Sequence, residues 1–245
     1  MRVMLMHPTN ADLEAGIPPS PELIAGVGQM IGEMARAGVF VDGAGLRPSA
    51  LGVRLTFSGG QRTVTRGPLS GRNELTAALC ILQVRSLDEA VDWASRFAAL
   101  VGDAEIDIRP VTEPWDIGIV PQPAVLPTTK YMAVLKADKR FESGEKPAPR
   151  IVAAMRKLAA EAQAAGVYVT AEVLQPSRHA RRLSVAGPQP VLTDGPFTET
   201  KELIAGFALL RLGSLDEALE WAPRYARVLG CSLDLRPLHE PEDFT

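Results

Sequence analysis

The sequence holds little with which to do covalent or metal chemistry. Its 245 residues include two cysteines, Cys80 and Cys231, and three histidines, His7, His179 and His239. Two isolated thiols in apolar surroundings read as buried free cysteines, with a cytoplasmic location by default. No group of His, Cys, Asp and Glu has metal-ligand spacing, so no metal is expected. Gly43-x-Gly45 and Gly59-Gly60 lack the strand-to-helix frame of a phosphate loop, and no cofactor is expected. Neither sign of charge dominates: 26 basic and 29 acidic residues leave a net charge of -3, no footprint for nucleic acid. The longest apolar runs, such as 75–84, are far too short to cross a bilayer, and Met1 to Pro8 reads as a strand, not a leader. The composition, 46% hydrophobic and 22% charged, is that of an ordinary globular chain, long enough for one large or two small cores.

What the chain does have is a repeat. Set against itself with an offset of 128, it aligns without a gap from Arg2 to Gly102, with 35 identities in 101 positions. Leu46-Arg47-Pro48-Ser49 meets Leu174-Gln175-Pro176-Ser177, and Ser86-Leu87-Asp88-Glu89-Ala90 meets Ser214-Leu215-Asp216-Glu217-Ala218. After a one-residue deletion, Asp107-Ile108-Arg109-Pro110 meets Asp234-Leu235-Arg236-Pro237. Copies of this length are domains, not solenoid repeats. The division is 1–112, a linker 113–129 and 130–245; Pro114, Pro121, Pro123 and Pro127 make the linker read as extended and semi-rigid.

Within each copy the periodicity gives strand, helix, strands, helix, strand. Ser20 caps a helix with Pro21 at its first position and Gly38 past its end, and Leu23, Ile24, Val27, Met30, Ile31 and Met34 recur at helical spacing. Ser58-Gly59-Gly60 joins two strands, and Ser86 with Glu89 opens the second helix. In the closing strand Ile106 and Ile108 lie on one face, Asp107 and Arg109 on the other. The order is βαββαβ with an added hairpin. The expected fold class is α+β: two ferredoxin-like domains whose open sheet faces pack together, an intramolecular pseudo-dimer of the dimeric α/β-barrel type.

Asp194-Gly195-Pro196-Phe197 followed by Thr198-Glu199-Thr200-Lys201-Glu202 resembles the signature of the YCII-related, or DGPF-domain, family. Gly43-x-x-Leu46-x-Pro48-Ser49, the Leu-Asp-Glu-Ala-x-x-Trp helix and the Asp-x-Arg-Pro ending are similar to it too, in nearly the whole chain twice. The resemblance implies a dimeric α+β-barrel fold. It implies for some members a catalytic His-Asp pair, for one branch dehydrochlorinase-like chemistry, and for others an association with extracytoplasmic-function sigma factors. The histidine of that pair lies near the first helix; neither first helix here contains one, so the pair does not carry over. The first copy replaces Asp194 by Arg66 and Phe197 by Leu69, so the two halves are not expected to have equal sites.

Six residues stand out as site candidates. His7, at the end of the first strand, is the best general acid–base group, and its counterpart is Leu135. Asp42, after a strand expected to run beside the first, is its candidate carboxylate partner. Arg109 and Arg236, on the open face, could hold a carboxylate or phenolate; an internal salt bridge with Asp107 or Asp234 explains them equally well. Asp194 and Phe197 are ligand candidates from the motif, although Asp before Gly-Pro is also a turn. Three functions follow: a cofactor-free acid–base enzyme (isomerase, lyase or dehydrochlorinase type) acting on a small aromatic or carbonyl compound, a non-catalytic small-molecule binder, or an interaction module. The partners this admits are a small molecule and a second copy of the chain, with neither nucleic acid nor membrane.

Overall fold

Alternating apolar residues on the strands set the layers. The structure is a computed structural model and describes residues 1–71, 74–187, 189–197 and 202–244. The first half runs β1 (Arg2–Pro8), α1 (Ala11–Glu14), α2 (Pro21–Arg36), β2 (Phe40–Gly45), β3 (Val53–Ser58), β4 (Gln61–Arg66), β5 (Thr76–Val84), α3 (Leu87–Val101) and β6 (Ala104–Pro110). The second repeats it as β7 (Thr129–Lys136), α4 (Lys139–Ser143), α5 (Pro149–Ala164), β8 (Tyr168–Val173), β9 (Arg181–Ser184), β10 (Val191–Asp194), β11 (Ile204–Arg211), α6 (Ala218–Leu229) and β12 (Leu233–Pro237). The helix signals act where the sequence puts them. Ser20 Oγ accepts from Leu23 N at 3.2 Å and Ser86 Oγ from Glu89 N at 3.2 Å, while Gly38 takes φ +74° beyond α2.

The strands form two antiparallel six-stranded sheets, β10-β9-β12-β1-β11-β2 and β4-β3-β6-β7-β5-β8. In each, four neighbours follow the ferredoxin-like order (fourth, first, third, second strand), so the expected fold class is observed. The first and second strands, however, come from the other half. β1 lies between β12 and β11, with Leu5 opposite Leu235 and Ala208; β7 lies between β6 and β5. The halves have exchanged their opening β-α-β segments. The linker is accordingly not an extended spacer. Pro110 pairs with Tyr131 across β6 and β7, and Ile119 N bonds back to Pro114 O at 2.9 Å, so 111–128 is a loop that returns the chain to the neighbouring strand.

Three apolar layers result. Val3, Leu5, Ala208, Leu210, Leu233 and Leu235 face α2 and α6; Val53, Leu55, Leu82, Ile106 and Ile108 face α3 and α5. Between the sheets lie Met4, Met6, Leu79, Ile81, Met132, Val134, Phe207 and Leu209. The polar side of each closing strand points into this middle layer and is buried there, Asp107 at 2% and Arg109 at 1% exposure. The two arginines bridge the sheets: Arg109 Nη1 donates to Ile204 O at 2.7 Å, and Arg236 Nη2 to Thr76 O at 3.2 Å.

Buried charge must be paired or it opposes folding. At one end of the middle layer Arg54 grips Asp107 with Nε at 2.6 Å and Nη2 at 2.8 Å, and reaches Glu74 at 2.9 Å. Lys136, from the other half, sits 2.9 Å from Asp107 and also pairs with Glu74. Glu105, more exposed, lies 3.6 Å from Arg54 Nε as a third acid, so every buried charge here has an opposite partner. Burial alone would push the Asp107 carboxyl up; the bond from Arg54 and the charges of Lys136 and Arg54 outweigh it and hold it below the usual range. Lys136→Met should leave two buried carboxylates to one guanidinium and cost about 3–5 kcal/mol, measured by urea unfolding at neutral pH. The loss should shrink in acid as those carboxylates take up protons.

Candidate functional site

The opposite end of the middle layer repeats this constellation with three positions changed, one of them Ser232 in place of Glu105. Arg182, Glu202, Asp234 and Arg236 stand where the first copy has Arg54, Glu74, Asp107 and Arg109. Pro8 replaces Lys136, and His7 replaces Leu135. The strand register confirms the equivalence. Pro8 lies opposite Ile204 beside a register shift, and Lys136 lies opposite Thr76, the counterpart of Ile204, beside another. Arg182 holds Asp234 as Arg54 holds Asp107, at 2.6 and 2.9 Å. No ammonium arrives from Pro8. A cavity of about 120 Å³ is left, walled by His7, Pro8, Arg182, Glu202, Asp234 and Arg236, with Thr76 from the facing sheet. Pockets for drug-sized ligands run to roughly 300–1,000 Å³, so the space suits a much smaller molecule.

Arg236 is 1% exposed, and its Nη2 donates to Gln175 O at 2.9 Å as well as to Thr76 O. Its Nε is buried with no hydrogen-bond partner among the described residues. Burial pushes the guanidinium below its ordinary value, opposed by the charges of Asp234 and Glu142. Arg109 differs in one respect that matters. Besides Ile204 O, it donates from Nε and Nη2 to Arg47 O, and it pairs with Glu14 at 3.0 Å. The expectation of a ligand at Arg109 is therefore corrected: its donors are spent inside the protein. In the second copy Glu142, the counterpart of Glu14, accepts from Ser177 N at 3.0 Å and Oγ at 2.5 Å, as Glu14 accepts from Ser49 N at 2.9 Å, but among the described residues no ion pair joins it to Arg236.

His7 shares the cavity wall and stands opposite Gly206. A Cβ at Gly206 would lie 2.6 Å from Ala44 O and 2.7 Å from His7 Nε2, so the close approach of the β2 backbone requires a glycine there and the ring packs against it. Leu135, with a different side-chain shape, faces Ala78 at the equivalent place. Burial pushes the His7 imidazole down to about 4, and a hydrogen bond with the Pro8 backbone offsets only part of this. His7 is thus neutral at pH 7, able to accept a proton or donate a hydrogen bond but carrying no charge.

Asp42 is not its partner. β11 separates β2 from β1, and Asp42 is exposed opposite Leu209, its carboxylate accepting from Gly43 N at 2.8 Å. The reason is the ferredoxin-like order itself, in which the third strand lies between the first and second. Asp194 is also outside the cavity wall: it is exposed at the end of β10 and pairs with Arg181 at 3.1 Å. Phe197 acts through another residue, its ring 4.5 Å from the Arg182 guanidinium carbon. Thr198, Glu199, Thr200 and Lys201 of the motif lie outside the described residues.

The rest of the signature is a clamp. Ser177 Oγ accepts from Phe197 N at 3.1 Å and Ser49 Oγ from Leu69 N at 3.0 Å, tying Pro-Ser to Gly-Pro in both copies. A side chain at Gly67 or Gly195 would collide with the Ser49 or Ser177 carbonyl. Sequence reasoning passed over Arg182, Glu202 and Pro8. Comparing the copies for charges present in one and missing in the other would have found Pro8 against Lys136, but not Arg182 or Glu202, which are charged in both.

The His7 environment predicts a pH window. Unfolded chains take up the proton near pH 6.5 and the folded chain near 4, so stability should fall as pH drops between them. The full loss is on the order of 3 kcal/mol. Unfolding midpoints at pH 7 and 5 should differ less in His7→Leu than in the wild type; equal differences would contradict the assignment.

The YCII-related domain model matches residues 1–114 and again 129–231. "Uncharacterized protein R00369" of Rhizobium meliloti (strain 1021) is 45% identical over 49 residues, covering 20% of this chain. The match spans 40% of that protein's length. No solved structure matches the chain. Repeat, sheet order and the paired motifs agree with the domain match: the chain belongs to the YCII-related family and carries its domain twice.

Proposed function

We propose that the chain binds a small carboxylate- or phenolate-type molecule in the cavity walled by β1 of one half and β9 and β12 of the other. The observation that carries this is Arg236, a buried residue of the cavity wall whose Nε has no partner among the described residues, where its counterpart Arg109 has a carboxylate of its own. A guanidinium in such surroundings gains a charge-assisted hydrogen bond from an incoming anion. The two ferredoxin-like units then do within one chain what a dimeric α/β barrel does with two subunits, and differentiation of the copies leaves one working site. Among the described residues no helix is long and apolar enough to cross a membrane.

A second reading, cofactor-free proton transfer on a small carbonyl or aromatic compound, is favoured by His7 in the same wall. A neutral imidazole there can take a proton from a bound acid and return it. Turnover that disappears in His7→Leu while binding survives would support it.

Thermal unfolding with acetate or propionate tests the main reading. Either anion should raise the wild-type midpoint in a saturable way. Arg236→Met should abolish the rise, whereas Asp194→Asn should keep it; an unchanged rise in Arg236→Met would refute the site.

A further inference from the structure

The sealed end of the middle layer shows what the open end is missing. Resting on the proposed anion site, we propose that its ligand is a small zwitterion, with a primary ammonium received by Glu202 and Asp234 and a carboxylate received by Arg236.

The ammonium is argued from the repeat. Glu74 and Asp107 are held by Arg54 and, in addition, by the primary ammonium of Lys136. Glu202 and Asp234 occupy the same positions beside Arg182, and the backbone place of Lys136 is filled by Pro8, which carries no charge. Glu74 is consequently buried at 5% exposure, whereas Glu202 is exposed and borders the cavity. At the sealed end the same two carboxylates and guanidinium, with Glu105 3.6 Å from Arg54 as a third acid, accommodate one more cation of the ammonium kind; the open end has Ser232 in place of Glu105. Arg236 calls for the carboxylate in the same way: Arg109 has Glu14, and Arg236 has a buried Nε without a partner among the described residues. One ammonium and one carboxylate complete the open end as Lys136 and Glu14 complete the sealed one. Size agrees. An engineered cavity of about 150 Å³ takes benzene, so about 120 Å³ takes roughly five non-hydrogen atoms, the scale of the smallest amino acids.

Isothermal titration of the full chain with glycine, β-alanine, γ-aminobutyrate, propionate and propylamine tests this. At least one amino acid should bind about tenfold or more tightly than propionate. Glu202→Gln, at an exposed position, should reduce its affinity to that of propionate. Pro8→Lys should place an ammonium in the cavity and abolish binding of the amino acid. Propionate binding as tightly as every amino acid, or an amino acid unaffected by Glu202→Gln, would overturn the ammonium subsite and leave the anion site standing. No binding by any of the five would overturn both.

Discussion

Two sheets, each needing cover for one face, meet in this chain across a layer that contains both methionines and ion pairs. That layer is the constraint on everything else. Apolar residues such as Met4, Ile81, Met132 and Phe207 fill its middle, while Arg54, Asp107, Arg109, Arg182, Asp234 and Arg236 occupy its ends. Charges removed from water are tolerated only with partners at hydrogen-bonding distance. Each arginine's partners therefore decide whether its surroundings close into structure or stay open to a ligand. At one end Lys136 and Glu14 complete the set and the space is filled. At the other Pro8 and a differently engaged Glu142 leave room.

The exchange of opening strands gives this difference its place in the fold. Pro8 and His7 belong to the first half, yet they border arginines and acids of the second because β1 is inserted between β12 and β11. Neither half alone contains the cavity. Differences between the copies then act in pairs: His7 comes with Gly206, and Leu135 with Ala78. Lys136 serves carboxylates of the first copy although it lies in the second. Duplication supplied two equivalent ends, and a few substitutions turned one into filler and the other into a pocket.

Much of this was legible in the sequence. Helix limits at Ser20 and Gly38, the Gly59-Gly60 hairpin, the ferredoxin-like order and the burial of Arg109 and Arg236 follow from caps, turns and alternation, which are local signals. Strand exchange did not follow, because β1 and β7 have the same apolar alternation and either could fill either gap. The same ambiguity made 111–128 look like a spacer when it is a returning loop. His7 and Arg236 do share the cavity wall, whereas Asp42 falls out because nearness of two strands in sequence is not adjacency in a sheet. Asp194 falls out because a turn aspartate found a closer arginine, Arg181. One detail accompanies the exchange: His7 faces Gly206 of the second copy, where its own copy has Ala78, and the Ala44 carbonyl of β2 presses on the same glycine.

Cross-linking tests the exchange most directly, because the sequence offers a built-in reporter. Leu5 lies opposite Ala208, and the first-copy counterpart of Ala208 is Cys80. Cross-strand neighbours are within disulfide reach, and residues on different sheets facing different helices are not. Under mild oxidation the Leu5→Cys, Ala208→Cys double variant should form an internal bond between positions 5 and 208, seen by mass spectrometry of the digested chain. Leu5→Cys alone should leave Cys80 reduced. A bond between position 5 and Cys80 would mean that each half keeps its own first strand, and the composite cavity would not exist.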